Sequence, residues 1–220
     1  MVDPVTGLAK TTLAPVGDVI KRIAGPLADE IGESLALLAR PYRIALSVKM
    51  FQKTQRMLKE AGLPAQPVPP RLFLPMLEAA SIENDEDLHT KWSALLANAA
   101  SSPNKVHPSF IEILKQLTPD DARLLDKLYT STNGQKYRLL NQSLWLADRY
   151  GIPFQNLTRL GMIEVTYDVD GMKVDMRYGE HPYVSGEMDE SRWLTEFAVA
   201  FIEACRPPKT IEGERTERGT

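Results

Sequence analysis

Apolar positions recur along most of this chain with the period of an α-helix, and they do so most plainly between Lys105 and Leu128. In KVHPSFIEILKQLTPDDARLLDKL, Phe110, Ile113, Leu114 and Leu117 fall at i, i+3, i+4 and i+7, the stripe of a helix lying on a core. A second helix opens beyond it with Thr118 as cap, Pro119 at the first helical position and Asp120 and Asp121 in the first turn. There the hydroxyl takes an orphan N–H, the ring needs no donor, and the acids meet the positive end of the dipole. Upstream, Val16, Ile20, Ile23, Leu27, Ile31, Leu35 and Leu38 keep helical spacing, broken at Gly25-Pro26 because proline removes a donor and clashes with the preceding turn. After Arg40-Pro41 a helix is predicted to about Ala61 and closed by Gly62. The proline-dense PAQPVPP at 64–70 reads as an extended surface strap. A short helix over Arg71–Ala80 follows, then a run of acids ahead of the stripe Leu88, Trp92, Leu95, Leu96 and Ala99.

Beyond a turn at Ser131–Gly134 the pattern becomes mixed. Leu139, Leu140, Leu144 and Ala147 predict a helix ending at Gly151; Pro153 restarts a short one with Phe154, Leu157 and Leu160 inward and Gly161 as its stop. Met162–Val169 alternates as a strand does, Asp170-Gly171 is a favoured two-residue hairpin turn, and Met172–Tyr178 alternates on the return. A last helix is expected from about Ser191, with Trp193, Phe197, Phe201 and Cys205 on one line. Trp92 and Trp193 are both expected to be buried. The expected fold is mainly α: a helical N-terminal part followed by a winged-helix-like α+β part with one β-hairpin. The segments are 1–63, helices including a basic amphipathic one; 64–117, a helical core segment; 118–206, the winged-helix-like module; and 207–220, a disordered tail.

Composition changes this picture little. With 220 residues, 43% hydrophobic and 25% charged, a net charge of −3 and one cysteine, the chain has material for a core and no disulfide of its own. No signal-peptide pattern and no long apolar run stands out, so a cytoplasmic protein without a transmembrane segment is expected. Local charge says more. From Arg40 to Glu60 six bases face one acid, and Arg43, Lys49, Lys53 and Arg56 form the candidate surface for an acidic partner. The opposite side carries Ile44, Val48, Phe51, Gln55 and Leu58.

Candidate chemistry is sparse. His89, His107 and His181 sit in separate segments, and His107 ahead of Pro108 reads as a capping or surface residue. No phosphate-binding glycine loop, zinc-protease motif or nucleophile elbow occurs. The acids at 83–87 lack the glycine of a calcium loop. No catalytic residue, metal site or cofactor is therefore assigned, and the chain is not expected to be an enzyme. In the winged module Gln155, Asn156 and Arg159 would form the recognition helix, since all three can reach base edges. Yet from Asn141 to Cys205 five bases stand against eleven acids, a net of −6, and DNA affinity comes largely from neutralising phosphates. Nucleic acid is not expected to bind through this module.

The blocks LFLPMLEAASIENDEDLHTKWSALLANAAS, VHPSFIEILKQLTPDDARLLDKL, FQNLTRLGMIEV and LTEFAVAFIEAC resemble the Abi-alpha family, with PSFIEILKQLTPDDA and NLTRLG as the most specific parts. The family is named for abortive infection, the bacterial defence in which an infected cell stops before phage multiply. The resemblance implies a phage-defence role and supplies no active site. The expectation is a non-enzymatic defence component acting through contacts with a protein partner of unknown identity; the alternative is a DNA-binding winged-helix regulator. No oligomeric state follows.

Overall fold

The helix Glu86–Ser101 is buried along most of its length, and the first part of the fold is built around it. The computed structural model describes residues 16–25, 41–102, 106–131, 143–168, 173–175, 183–185 and 189–209. Its helices are α1 (Gly17–Ala24), α2 (Pro41–Ala61), α3 (Pro70–Ala80), α4 (Glu86–Ser101), α5 (Pro108–Leu114), α6 (Pro119–Ser131), α7 (Ser143–Arg159) and α8 (Glu196–Ala204); between the last two lie the strands β1 (Ile163–Asp168), β2 (Lys173–Asp175), β3 (Tyr183–Ser185) and β4 (Asp189–Leu194). The protein is mainly helical. The chain divides into two units, one drawn from Met1–Pro119 with Glu203–Thr220, the other from Asp120–Ile202.

In the first unit α4 packs against α2 and α3, α3 also meets α5, and α1 lies against α2. Trp92 is 2% exposed, and Leu95, Leu96, Ala94, Ala97, Ala99 and Ala100 are fully buried around it. Between Trp92 and Ala100 every residue but Asn98 is buried, as so apolar a run specifies, and its alanines let neighbouring backbones come close. Phe51 of α2 and Phe73 of α3 are also fully buried, with ring centroids 6.2 Å apart. α2 buries a wider arc than its predicted stripe: Ser47, Met50, Thr54 and Met57 are covered beside Ile44, Val48, Phe51 and Leu58, whereas Gln55 is exposed. The buried Thr54 hydroxyl is satisfied by the carbonyl of Ser93 at 3.0 Å.

Helix ends follow local chemistry closely. Gly25, with φ +55°, stops α1. Gly62, with φ +68°, closes α2: its N–H bonds Lys59 O at 3.1 Å while Leu63 N–H bonds Leu58 O at 2.9 Å, the paired bonds of a Schellman cap. Asp85 caps α4 by accepting from the N–H groups of Asp87 and Leu88, each at 3.0 Å. His107 caps α5 as expected, its Nδ1 accepting from Ser109 N–H at 3.2 Å. At the far end of α8, the Asn98 amide donates to the carbonyls of Ala204 and Arg206 at 2.9 and 2.8 Å, covering acceptors a helix terminus leaves open.

The second unit departs from expectation in three places. α7 runs unbroken through Gly151 and Pro153, so the helix and short recognition helix predicted there are one element; a single internal proline removes only one rung. It ends in a second Schellman cap at Gly161, φ +71°, with Met162 N–H on Leu157 O at 2.9 Å. Residues 189–194, predicted as the start of the last helix, are strand β4, and α8 begins at Glu196. There Thr195 supplies the cap, its hydroxyl accepting from Ala198 N–H at 3.1 Å. Third, β1 pairs antiparallel with β4, Ile163 opposite Leu194 and Asp168 opposite Asp189, while β2 pairs with β3, Val174 opposite Val184. The return strand predicted across Asp170-Gly171 is therefore not the partner of β1. Trp193 lies on β4 opposite Glu164, and its predicted burial falls outside the described side chains. So do the stripe from Leu27 to Leu38, the turn at 132–134, Asp170-Gly171 itself and the tail beyond Lys209.

Candidate interaction surface

Of the four cations singled out on α2, three are turned toward neighbouring helices. The Arg43 guanidinium donates through Nε and Nη2 to Ser81 Oγ at 3.0 and 2.8 Å; Ser81, fully buried, donates in turn to Glu78 O at 2.7 Å. Lys49 and Lys53 stand one turn apart, so both ammonium groups reach a single carboxylate, Glu86 at the start of α4. Lys53 Nζ donates to Glu86 Oε1 and to Thr90 Oγ1, each at 2.6 Å, and Lys49 donates to Oε2. The Lys53 side chain is only 18% exposed against 44% for Lys49. Arg56 is exposed and makes no ion pair among the described residues. The basic strip is thus mostly a set of staples from α2 to its neighbours, and its open part begins at Arg56.

Glu86 receives two charged hydrogen bonds, and these hold its carboxyl down at about 2. It is well exposed, so screening limits the paired charges to a surface contribution of ~0.2–1 kcal/mol. One turn along lies His89, which nothing in the sequence distinguished. It is 1% exposed, its Nε2 donates to Leu46 O at 3.1 Å, and its Nδ1 is buried without a hydrogen-bond partner among the described residues. Burial first, and then Lys53 and Lys49 nearby, push its pKa below the ordinary 6.5; the Leu46 carbonyl and Glu86 oppose them. A proton on Nδ1 would find no acceptor and two cations close by.

The sign of the pH dependence follows. Unfolded, position 89 binds a proton as pH drops through about 6.5, while the folded protein resists until its lower pKa. Stability is therefore expected to fall as pH drops below 6.5, at up to ~1.4 kcal/mol per pH unit for one proton, and to level off below the folded value. The contribution of Glu86 persists above 4.5 and disappears toward 2, a separate window. Urea titrations at pH 7 and 5 measure this, and a His89→Gln variant is expected to lose much of the difference.

Of the three recognition-helix candidates on α7, Gln155 and Arg159 are exposed one turn apart and Asn156 is partly buried. The Asn156 amide donates to Asp121 Oδ2 at 2.9 Å, and Asn156 Oδ1 accepts from Arg159 Nε and Nη2 at 3.2 and 2.8 Å. Asp121 is 1% exposed at the start of α6. Two of the three candidates are engaged in a chain that anchors α7 to α6. The acid at its end was read from sequence only as a helix-start residue.

The first unit also exposes large apolar side chains near the start of α2 and on α3: Tyr42, Leu74 and Ile82. Tyr42 OH donates to Asn84 Oδ1, which fixes the ring beside the turn that holds Ile82. Along α2, Tyr42, Ala45, Gln52 and Arg56 are exposed with Lys49 partly so, a single outward face at spacings of three and four. Among the described residues no helix is long and apolar enough to cross a membrane.

No curated protein and no solved structure matches the chain. A family model does, the one described as Abortive infection alpha, over residues 45–205.

Proposed function

The chain belongs to the abortive infection alpha family, and from that premise we propose that it is a phage-defence component that works by binding another protein through the outer face of α2, without catalysing a reaction. The observation that carries this reading is how the polar side chains are used. Arg43, Lys49, Lys53, Asn98, Asp121 and Asn156 each hold one element to another, while the face left open combines an aromatic ring, an amide and an arginine without an ion pair among the described residues. Tyr and Arg are the residues that most often carry binding energy at protein interfaces. An acidic partner segment fits the exposed cation of Arg56.

In the same reading the unit within Asp120–Ile202 is a winged-helix-like contact module and not a DNA reader. Its acidic balance repels phosphate, and the tying of Asn156 to Asp121 and Arg159 removes a base-reading side chain. A cytoplasmic setting belongs to this reading.

The test is a one-step phage growth experiment in cells carrying the chain or its Tyr42→Asp, Arg56→Glu double variant. The unaltered chain is expected to suppress the burst and the variant to release it, with the melting temperature moved by no more than ~3 °C because both positions are on the surface. Full protection by a folded variant would remove this face from the account.

A further inference from the structure

Between α1 and α2 the first unit holds an open cleft of about 320 Å³, near the lower end of the ~300–1,000 Å³ typical of small-molecule sites. Its polar lining is Asp18 and Arg22 from α1 and Gln55 and Lys59 from α2; the remainder is Val19, Leu58 and the strap residues at 63–65. The strap is fixed at both ends. Leu63 N–H bonds Leu58 O at 2.9 Å, Gln66 N–H bonds Ala100 O at 2.8 Å, and Val68 N–H bonds Ile23 O at 2.8 Å. A Cβ added at Gly25 would stand 3.4 Å from the Pro67 ring, in ordinary van der Waals contact, so the strap packs on the end of α1. The walls are thus pre-formed, which lowers the ordering cost of binding.

The charges are arranged unusually. Asp18, Arg22 and Lys59 border one space, yet no ion pair closes among them. Arg22 and Lys59 sit in the last turns of α1 and α2, where cations complement the negative dipole ends; that alone would explain exposed bases on the outside of each helix. It does not explain why both share a half-apolar cleft with an acid that makes no ion pair among the described residues. Two cations and one carboxylate line the same space, so neither a simple anion nor a simple cation matches all three. A molecule carrying both signs does.

We propose that this cleft binds a small zwitterion with an apolar body, a free α-amino acid with a hydrophobic side chain. Its carboxylate meets the forked guanidinium of Arg22 and the ammonium of Lys59. Its ammonium meets Asp18, and its side chain covers Val19, Leu58 and the strap. Gln55 serves either polar end.

Calorimetric titration of the full chain with L-phenylalanine tests this, with 3-phenylpropionate and phenethylamine as the two half-ligands. Phenylalanine is expected to bind at least ~10-fold more tightly than either half, since each lacks one charged contact. Arg22→Ala and Lys59→Ala are expected to weaken phenylalanine and phenylpropionate alike. Asp18→Asn is expected to weaken phenylalanine about 10-fold and to leave phenylpropionate unchanged or tighter. Circular dichroism on the same samples establishes that the variants are folded. Equal binding of phenylalanine and phenylpropionate, insensitivity to Asp18→Asn, or no heat from any of the three up to ~10 mM, an affinity of under ~3 kcal/mol, would overturn the proposal.

Discussion

Replacing Trp92 with alanine is expected to cost the first unit ~3–5 kcal/mol. The ring is 2% exposed on α4, whose residues from Trp92 to Ala97 are all buried. Its removal loses the transfer energy of a large aromatic group and leaves a void that rigid helix neighbours cannot fill. The alanines along α4 aggravate this, because they have no longer rotamers with which to repack. Trp92→Phe keeps most of the apolar volume and is expected to cost less than half as much. Urea unfolding followed by the helical signal measures both, read from the transition midpoint at unchanged slope. A cost for Trp92→Ala below ~1 kcal/mol, the scale of a surface change, would mean that α4 is not the centre of its unit.

Asp121→Ala is expected to be the most damaging polar substitution in the second unit, at ~2–4 kcal/mol. Asp121 is buried in the first turn of α6 and accepts the Asn156 amide at 2.9 Å. Alanine leaves that donor without its acceptor and removes a negative charge from the positive end of the helix. Asp121→Asn keeps an acceptor while losing the charge, and is expected to fall between the two. If the chain from Arg159 through Asn156 to Asp121 is one network, the effects of Asp121→Ala and Asn156→Ala will not add. Additive costs would reduce it to separate contacts. Unfolding should be followed with a probe in each unit, since two units need not melt together.

What the sequence made legible, and what it hid, divides along the range of the interactions. Helix stops at Gly25, Gly62 and Gly161 are set by residues within a turn of each other, and a left-handed φ there requires glycine. The caps at Asp85 and His107 are equally local. Strand pairing is not. Asp170-Gly171 is a strong local turn signal, but β1 gains six paired residues with β4, and that ladder depends on chain more than twenty residues away. The stretch at 189–194 misled for a related reason: Trp193 and Leu194 fit a helical line with Phe197 and Phe201, and only the pairing with β1 shows them to be strand.

The candidate surface shows the same division. Spacing on α2 placed Lys49 and Lys53 together, as their shared contact with Glu86 confirms. It could not reveal that the partner lies thirty-odd residues downstream inside the same unit, so a strip read as open is largely engaged. Glu86 itself was read only as an acid at a helix start. His89 gave no signal at all, since a histidine on an apolar helix has no sequence mark that separates a surface ring from a buried one.

The central claim, that the outer face of α2 works by touching another protein, is tested most directly by photo-crosslinking from that face in living cells. A photoreactive residue in place of the exposed Gln52 leaves Arg56 and Tyr42 intact; one in place of the exposed Glu112 on α5 serves as control. Irradiation during infection is expected to give one discrete protein adduct from position 52, none from position 112, and loss of the position 52 adduct when Tyr42→Asp and Arg56→Glu are added. Undiminished phage protection with no adduct from position 52, or the same adduct after both substitutions, would contradict the account.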